Sequence, residues 1–284
     1  MPSSVSKAVL ITGCSTGIGR ATAIRLTKAG WSVYATARNL DSIADLRAHG
    51  CKLLQLDVTD ADSRVAAVKA VEDGEGAVGV LINNAGYGLH GAVETVGLDE
   101  VRAQFETNFF GLVGLTQLVL PGMRKQHWGK IVNMSSMGGK LTFPGGGFYH
   151  ATKHALESLS DALRFEVAPF GIDVVIIEPG LIKTEFGGTA IASVDNSDVE
   201  DSPYGFFNQG VMLKINGAYN GKLANAASGP DSVAKVITRA ISSKRPRTRY
   251  PVTAGAWAIM GLRRVLPDKV FDYLLQKQYP TPGS

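Results

Sequence analysis

Three side chains between residues 136 and 153 could exchange a proton with a substrate oxygen. Tyr149 and Lys153 are four residues apart in the helical pattern "FYHATKHALESLSDALRF", so both lie on one helix face. A phenol with a reference pKa of about 10 is protonated near neutral pH and can protonate the alkoxide that hydride transfer leaves. An ammonium about 4 Å away, worth about 4 kcal/mol at an effective dielectric of about 20, would lower the pKa of that phenol. Ser136 would donate a hydrogen bond to the same substrate oxygen.

The elements that must position these residues form an alternating pattern. We predict strands at residues 8–13, 32–37, 52–57, 78–85, 130–136 and 173–180, with a last strand near 249–253. The strands are almost continuously apolar, as expected where both faces of a sheet are covered. Their alternation with helical stretches predicts an α/β fold, a single Rossmann-like, doubly wound parallel sheet with helices on both faces. Ligands bind such a sheet at the carboxyl ends of its strands.

Length and composition limit the alternatives. The 284 residues suit one α/β domain, which often reaches about 250 residues. We predict a cofactor-binding core at about 7–183, a substrate loop at about 185–228, where the pattern lapses, and a C-terminal helical extension at about 254–284, interrupted by Pro267. Cys14 and Cys51 form no disulfide framework and no metal-ligand set, which favours a cytoplasmic protein without a metal.

The charge, hydropathy and motif patterns argue against nucleic-acid binding, a membrane span and a serine hydrolase. The sequence pI is near 9.0, yet the basic residues are scattered and no nucleic-acid-binding motif accompanies them. No run of about 18 apolar residues occurs, so we expect no membrane span. A serine hydrolase is disfavoured because the chain has no Gly-x-Ser-x-Gly elbow.

A glycine-rich turn joins the first strand to the first helix. "TGCSTGIG" places Gly13, Gly17 and Gly19 where small residues permit a tight turn and close backbone approach. The helix that follows presents unpaired N–H groups and the positive end of its dipole. We therefore predict that this turn binds the pyrophosphate of a dinucleotide.

The end of the second strand predicts which dinucleotide binds. An acidic residue there would bind the adenosine ribose hydroxyls and repel a 2′-phosphate. The strand ends in "TARN", with Ala37 in the place of that acid and Arg38 after it. A guanidinium holds a phosphate in fork geometry, so we predict NADP(H) in preference to NAD(H). Asp57 and Val58 end the third strand, where they could contact the adenine amino group and ring.

Several motifs in register resemble the short-chain dehydrogenase/reductase family across about residues 7–185. They are "TGCSTGIG", "NNAG" at 83–86, "ETNFFG" with Asn108, the thirteen-residue interval from Ser136 to Tyr149, "YHATK" and "PGLIKT" at 179–184. The resemblance implies an oxidoreductase that acts on a CH–OH group, with Asn108, Ser136, Tyr149 and Lys153 as catalytic residues. Asn108 would position a water that links Lys153 to solvent, and Ser136 and Tyr149 would contact the substrate.

The resemblance also implies a cofactor site. Lys153 would hold the nicotinamide ribose, while the backbone of Ile182 and the hydroxyl of Thr184 would bind the carboxamide. The predicted cofactor-binding residues are Gly13, Ser15, Thr16, Gly17, Ile18, Gly19, Arg38, Asp57, Val58, Asn84, Ala85, Gly86, Tyr149, Lys153, Pro179, Gly180, Ile182 and Thr184.

The substrate is less closely defined. The chain looks most like the acyl-dihydroxyacetone-phosphate reductases, retinol dehydrogenases and hydroxysteroid dehydrogenases of that family, which favours a lipophilic carbonyl or alcohol. The aromatic residues of the 185–228 segment suggest a lid over an apolar substrate, with packing of the segment on the sheet as the alternative. They are Phe186, Tyr204, Phe206, Phe207 and Tyr219. The C-terminal extension could close the pocket, mediate assembly or contact a membrane surface.

Assembly and rival functions complete the expectations. The resemblance implies a homodimer or homotetramer through the helices that carry Asn108 and Tyr149. The alternatives are a catalytically silent NADP(H)-binding sensor or scaffold and a sugar-nucleotide epimerase-type enzyme; the first usually lacks the Tyr or Lys, and the second usually has a different glycine loop. His150 and His154 flank the catalytic pair, and their helix positions predict core or surface roles.

Overall fold

A seven-stranded parallel sheet forms the centre of the molecule. The computed structural model describes residues 5–194, 202–220 and 228–283. The strand order is β3-β2-β1-β4-β5-β6-β7, so the chain winds outward from β1 in both directions. The strands are β1 (Val9–Ile11), β2 (Val33–Ala37), β3 (Lys52–Gln55), β4 (Val80–Asn83), β5 (Gly129–Met134), β6 (Ile172–Glu178) and β7 (Arg249–Pro251). The predicted doubly wound sheet is confirmed.

Helices cover both faces of the sheet. They are α1 (Gly17–Lys28), α2 (Ala61–Glu75), α3 (Leu98–Phe105), α4 (Gly111–Lys125), α5 (Gly147–Val167), α6 (Phe186–Ala192), α7 (Gly205–Asn220), α8 (Pro230–Ser242), α9 (Ala254–Val265) and α10 (Asp268–Gln276). Short 3₁₀ turns lie at Leu40–His49, Met137–Gly139 and Ala168–Phe170, and a π-helical turn spans Glu106–Phe110.

The apolar strands divide between two cores. Val9 and Ile11 of β1 pack in a cluster with α1 and α8, whereas Leu10 between them packs in the cluster with α2, α4 and α5. Successive strand residues point to opposite faces, so burial on both faces requires nearly every strand residue to be apolar. This explains why the strand runs could be read from the sequence without any polar alternation.

The predicted loop at 185–228 is wrong in the parts that the structure describes, where α6 and α7 occupy most of it. Phe207 and Val211, one helical turn apart on α7, pack against Ala92 in a small separate cluster, with Ile215 beside them. Three glycines and several polar residues hide this short apolar stripe in the sequence, and the contact with residue 92 is what stabilises it. The stretches 195–201 and 221–227 of the predicted loop lie outside the described residues.

The C-terminal extension forms two helices, and the predicted interruption at Pro267 is confirmed. α9 ends at Val265, and Pro267 is the N-cap residue of α10. Across the described part of the chain, none of the helices has both the length and the apolar character that a membrane crossing requires.

Candidate active site

A cavity of about 1740 Å³ opens at the carboxyl ends of the strands and contains most of the predicted site. Single ligand sites usually occupy about 300–1,000 Å³, so this cavity has room for a dinucleotide and a second molecule. Of the eighteen predicted cofactor-binding residues, all except Gly19 line it, and of the four predicted catalytic residues, Ser136, Tyr149 and Lys153 line it.

Gly19 lies directly beneath the turn instead of facing the cavity. A Cβ atom at this position would lie 2.3 Å from the Gly13 carbonyl oxygen and 2.5 Å from Asn84 Nδ2. The missing side chain therefore allows α1 to begin close under the first strand. Gly13 and Gly17 have φ angles of 70° and 57°, which only glycine adopts readily.

The segment that follows β4 stabilises the glycine turn through Asn84. Its amide donates to the carbonyl oxygens of Thr12 and Gly13, at 2.8 and 3.0 Å. In return the Thr12 hydroxyl accepts from the backbone N–H groups of Asn84 and Ala85, both at 2.9 Å. The "NNAG" segment therefore holds the glycine turn in place at the end of the sheet. Asn84 and Ala85 also line the cavity.

Arg38 follows β2 and is exposed at the rim of the cavity. In the described part of the chain, no carboxylate forms an ion pair with its guanidinium, whereas the nearby Arg20 pairs with Asp45. Asp57 accepts from the N–H and hydroxyl of Thr59, at 2.9 and 2.8 Å. Burial raises the pKa of Asp57, but these hydrogen bonds and the charge of Arg38 outweigh it and leave the pKa below its usual value.

Tyr149 and Lys153 lie one turn apart on α5 and are both buried, with 8% and 6% of their surfaces exposed. The Lys153 ammonium donates to the carbonyl oxygen of Met134, at the end of β5, over 2.8 Å. It lies 5.8 Å from the centre of the Tyr149 ring. The Ser136 hydroxyl accepts from the N–H of Gly138 at 3.1 Å and lies near enough to the Tyr149 hydroxyl to act on its pKa. The structure therefore brings the phenol, the ammonium and the serine together.

Burial controls the acidity of both titratable groups. It raises the pKa of Tyr149 to about 12, against a lowering effect of the hydrogen bond with Ser136. It also lowers the pKa of Lys153 to about 8, against the opposing charge of Glu157. The predicted lowering of the Tyr149 pKa by Lys153 is therefore not what this geometry gives, because loss of water raises this pKa. At neutral pH the phenol is protonated and suited to donate.

Asn108 lies behind the cavity wall, on the π-helical turn between α3 and α4. Its side chain accepts from the Tyr87 N–H at 3.0 Å and donates to the Tyr87 carbonyl oxygen at 2.9 Å and the Thr152 hydroxyl at 3.2 Å. A Cβ atom on Gly86 would lie 3.0 Å from Asn108 Oδ1 and 3.7 Å from Lys153 Nζ. Asn108 therefore joins the α5 helix to the segment after β4, next to Lys153 but outside the cavity lining.

The structure adds His90 to the site and brings two of the aromatic residues predicted to form a lid, Phe186 and Tyr219, to the side of Tyr149. His90 and Phe186 pack on the Tyr149 ring, with centroid distances of 5.9 and 5.4 Å, and Tyr219 packs beyond Phe186 at 6.5 Å. Burial lowers the pKa of His90 to about 4, so its imidazole is neutral. The two side chains that pack on the Tyr149 ring, His90 and Phe186, are accordingly aromatic and uncharged.

His150 also lines the cavity, which the predicted core or surface role did not include. Its Nδ1 lies 3.1 Å from the Gly138 carbonyl oxygen, and a Cβ atom on Gly138 or Gly146 would come within 2.3 or 2.6 Å of its ring. The two glycines are the signal that could have revealed the position of this ring. His154, in contrast, is exposed as predicted.

A cluster of charged side chains, partly buried, lies beside α5. Glu157, one turn after Lys153, contacts the Lys140 ammonium at 2.7 Å and Arg249 Nε at 3.0 Å. Arg249 also lies 3.6 Å from the carboxylate of Glu178 at the end of β6. Burial and the charge of Glu157 raise the pKa of Glu178 to about 7. In the described residues, no group of His, Cys, Asp and Glu side chains is arranged to hold a metal ion.

Comparison with known proteins identifies the family. The profile described as short chain dehydrogenase matches residues 7–194. The chain belongs to the short-chain dehydrogenase/reductase family. The uncharacterized oxidoreductase YbbO of Escherichia coli is 37% identical over 274 residues, which cover 96% of this chain and 95% of that protein. The 3-ketodihydrosphingosine reductase of Bacteroides thetaiotaomicron is 37% identical over 279 residues, covering 95% and 97%.

Solved structures agree with this family assignment. A short-chain dehydrogenase from Streptomyces avermitilis aligns with a TM-score of 0.76 and 31% identity, covering 96% of both chains. A serine dehydrogenase complexed with NADP+ aligns with a TM-score of 0.74 and 25% identity, covering 86% of this chain and 93% of the other. The protein is thus an oxidoreductase of this family, with relatives that bind a nicotinamide dinucleotide.

Proposed function

We propose that the protein is an NADP(H)-dependent oxidoreductase that transfers a hydride between the nicotinamide and a lipophilic carbonyl or secondary alcohol, with Tyr149 as general acid and base. The observation that carries the proposal is that Ser136, Tyr149 and Lys153 all line one cavity that is large enough for two ligands. Lys153 completes the arrangement one helical turn away.

The chain's own residues have distinct roles in this reaction. The bound dinucleotide supplies or accepts the hydride. Ser136 orients the substrate oxygen, and Tyr149 donates its proton as that oxygen gains charge. Lys153 is fixed by the Met134 carbonyl oxygen, so its ammonium stays beside the phenol. The residues Gly13, Gly17 and Asn84 would hold the pyrophosphate end, and the turn from Pro179 to Thr184 would hold the nicotinamide end.

The preference for NADP(H) is supported by the position of Arg38. Its guanidinium is at the cavity rim after β2, where it is free to form paired hydrogen bonds to a 2′-phosphate. The carboxylate of Asp57, which follows the neighbouring strand β3, accepts two hydrogen bonds from Thr59.

A lipophilic substrate is supported by the wall around Tyr149. Phe186 and Tyr219 come from the segment that follows β6, and His90 comes from the segment that follows β4. These rings give the cavity an apolar surface beside Tyr149. The similar 3-ketodihydrosphingosine reductase is named for reduction of a keto group, which agrees with a carbonyl substrate.

A homodimer or homotetramer is part of the proposal. Phe110 next to α4 and Phe165 on α5 expose 51% and 85% of their surfaces. These two helices are the ones that the family resemblance implies for assembly, and sedimentation velocity on the purified protein measures the outcome directly.

Two substitutions test the chemistry and the cofactor preference separately. Tyr149→Phe removes only the hydroxyl, so turnover of a panel of ketones with NADPH should be nearly lost while NADPH binding, followed by its fluorescence, survives. Arg38→Ala should reduce the preference for NADPH over NADH about tenfold or more, since a charged hydrogen bond is worth about 1.5–3 kcal/mol. Full turnover by Tyr149→Phe would disprove the catalytic role, and an unchanged preference would disprove the role of Arg38. A protein that binds NADPH but reduces none of the panel would instead favour a sensor or scaffold.

A further inference from the structure

The outward face of α9 has a composition that is unusual for a surface helix. The exposed positions Trp257, Ala258, Gly261, Leu262 and Val265 recur at intervals of three and four residues and are all apolar. Trp257 and Val265 expose 71% and 73% of their surfaces. A surface helix normally turns charged and polar residues to water. An exposed apolar face of this kind is typical of an interaction surface.

The next helix continues the apolar surface. α10 exposes Val270, Tyr273 and Leu274, while Phe271 is its buried residue. The ammonium of Lys277 lies 4.5 Å from the centre of the Tyr273 ring. Exposed Trp and Tyr next to a cation are the side chains that anchor proteins at the boundary between lipid headgroups and acyl chains.

Charge distinguishes between the possible partners. Residues 254–283 contain four basic side chains, Arg263, Arg264, Lys269 and Lys277, against two acidic ones, Asp268 and Asp272. Arg264 follows Trp257 by two helical turns and therefore borders the apolar face. In a two-fold contact between copies these cations would face one another, whereas an anionic lipid surface attracts them.

The same helix separates the candidate active-site cavity from this surface. Ala256 and Ile259 line the cavity from the inner side of α9, together with Tyr279 beyond α10. Trp257, which follows Ala256 in the chain, points outward. A molecule in an apolar phase that contacts the outer side of α9 would thus be separated from the cavity by this one helix.

We propose that α9 and α10 dock on the surface of an anionic lipid bilayer, with Trp257, Leu262 and Val265 inserted among the acyl chains and Arg264 among the headgroups. The cavity then takes its substrate from the bilayer. The second statement rests on the proposed lipophilic substrate, whereas the docking itself does not depend on any activity.

Sedimentation with lipid vesicles tests the docking without an enzymatic assay. The full chain should sediment with vesicles that contain phosphatidylglycerol and much less with vesicles of phosphatidylcholine alone. Val265→Asp places a charge in the acyl region and should abolish sedimentation. Arg264→Gln should weaken binding about fivefold, the value of one cation near an anionic surface. Leu98→Asp is the matched control, because Leu98 is 61% exposed on α3 and should bind as the unmodified protein does.

Three results would overturn the proposal: no sedimentation with anionic vesicles, equal loss in the Leu98→Asp and Val265→Asp variants, or a dimer in ultracentrifugation that Val265→Asp dissociates. The last result would assign the face to a second copy. Reduction of a short, water-soluble ketone should be unchanged in Val265→Asp, since Val265 does not line the cavity. Normal vesicle binding by a protein without reductase activity would refute the proposed function and leave the docking intact.

Discussion

Replacing Lys153 by methionine should make the stability of the protein less dependent on pH. The pKa of Lys153 falls from 10.5 to about 8 because its ammonium is buried. Between these two values the unfolded chain binds more protons than the folded one, so this group makes stability rise with pH. Below about pH 8 the full cost of the buried charge is present, and at about pH 10.5 it is gone.

The size of the effect follows from the same values. At about 1.4 kcal/mol per pKa unit, the lowering from 10.5 to about 8 corresponds to a cost of about 3 kcal/mol near neutral pH. Lys153→Met removes this cost but leaves the Met134 carbonyl oxygen without its donor, which costs about 1–3 kcal/mol at every pH. Relative to the unmodified protein, the variant should therefore be as stable or up to about 2 kcal/mol more stable at pH 7, and less stable by about 1–3 kcal/mol at pH 10.5.

Urea unfolding at intervals from pH 7 to pH 10.5 measures the difference between the two proteins. Other groups that titrate in this range cancel in that difference. Lys130→Met is the matched control, because Lys130 is also buried but its ammonium lies 2.7 Å from the Asp173 carboxylate. This variant should lose stability throughout. If the stability curves of Lys153→Met and the unmodified protein run parallel, the ammonium is not buried at a cost and the argument fails.

Three further predictions concern residues around the site. Gly19→Ala brings a Cβ atom to 2.3 Å from the Gly13 carbonyl oxygen, so NADPH binding measured by fluorescence should weaken about tenfold or more. Gly229→Ala is the control: its Cβ atom would meet no other atom of the described residues within 4 Å, so this variant should bind NADPH normally. Burial raises the pKa of Glu178 to about 7. The folded state therefore binds this proton more tightly than the unfolded state, and the free energy of unfolding falls as the pH rises from 4.5 to 7. In urea unfolding, Glu178→Gln should be more stable than the unmodified protein at about pH 8 but not at about pH 4.5. Asn108→Ala removes the partners of the Tyr87 backbone and should cost about 1–3 kcal/mol in the same assay; a change below about 0.5 kcal/mol would show that water replaces the amide.

The sequence predicted the sheet and most of the residues that line the cavity because these depend on local rules. Burial on both faces demands continuous apolar strands, and the order of parallel strands places every strand's carboxyl end at one edge. Arg38 could be assigned to the cavity rim on chain order alone, as the first residue after β2. The glycine turn could also be recognised from the sequence, because its positive φ angles restrict the choice of residue.

The remainder depends on contacts between distant parts of the chain. α7 forms against Ala92, a residue more than a hundred positions earlier, so its short apolar stripe was not recognisable. The ring of His150 lies in space that Gly138 and Gly146 leave open, and helix position alone did not show it. Similarly, the spacing of Tyr149 and Lys153 predicted their proximity but not how completely they are removed from water.

Burial of this pair has a consequence for the direction of the proposed reaction. With a pKa of about 12 for Tyr149 and about 8 for Lys153, the ammonium is a stronger acid than the phenol. Once Tyr149 gives its proton to the oxygen of a reduced carbonyl, Lys153 can restore it in a downhill transfer. Oxidation of an alcohol requires the opposite transfer, in which the phenol must lose its proton before the hydride leaves. Without a further positive charge next to Tyr149, this arrangement therefore favours reduction, because burial raises the pKa of Tyr149 and lowers that of Lys153.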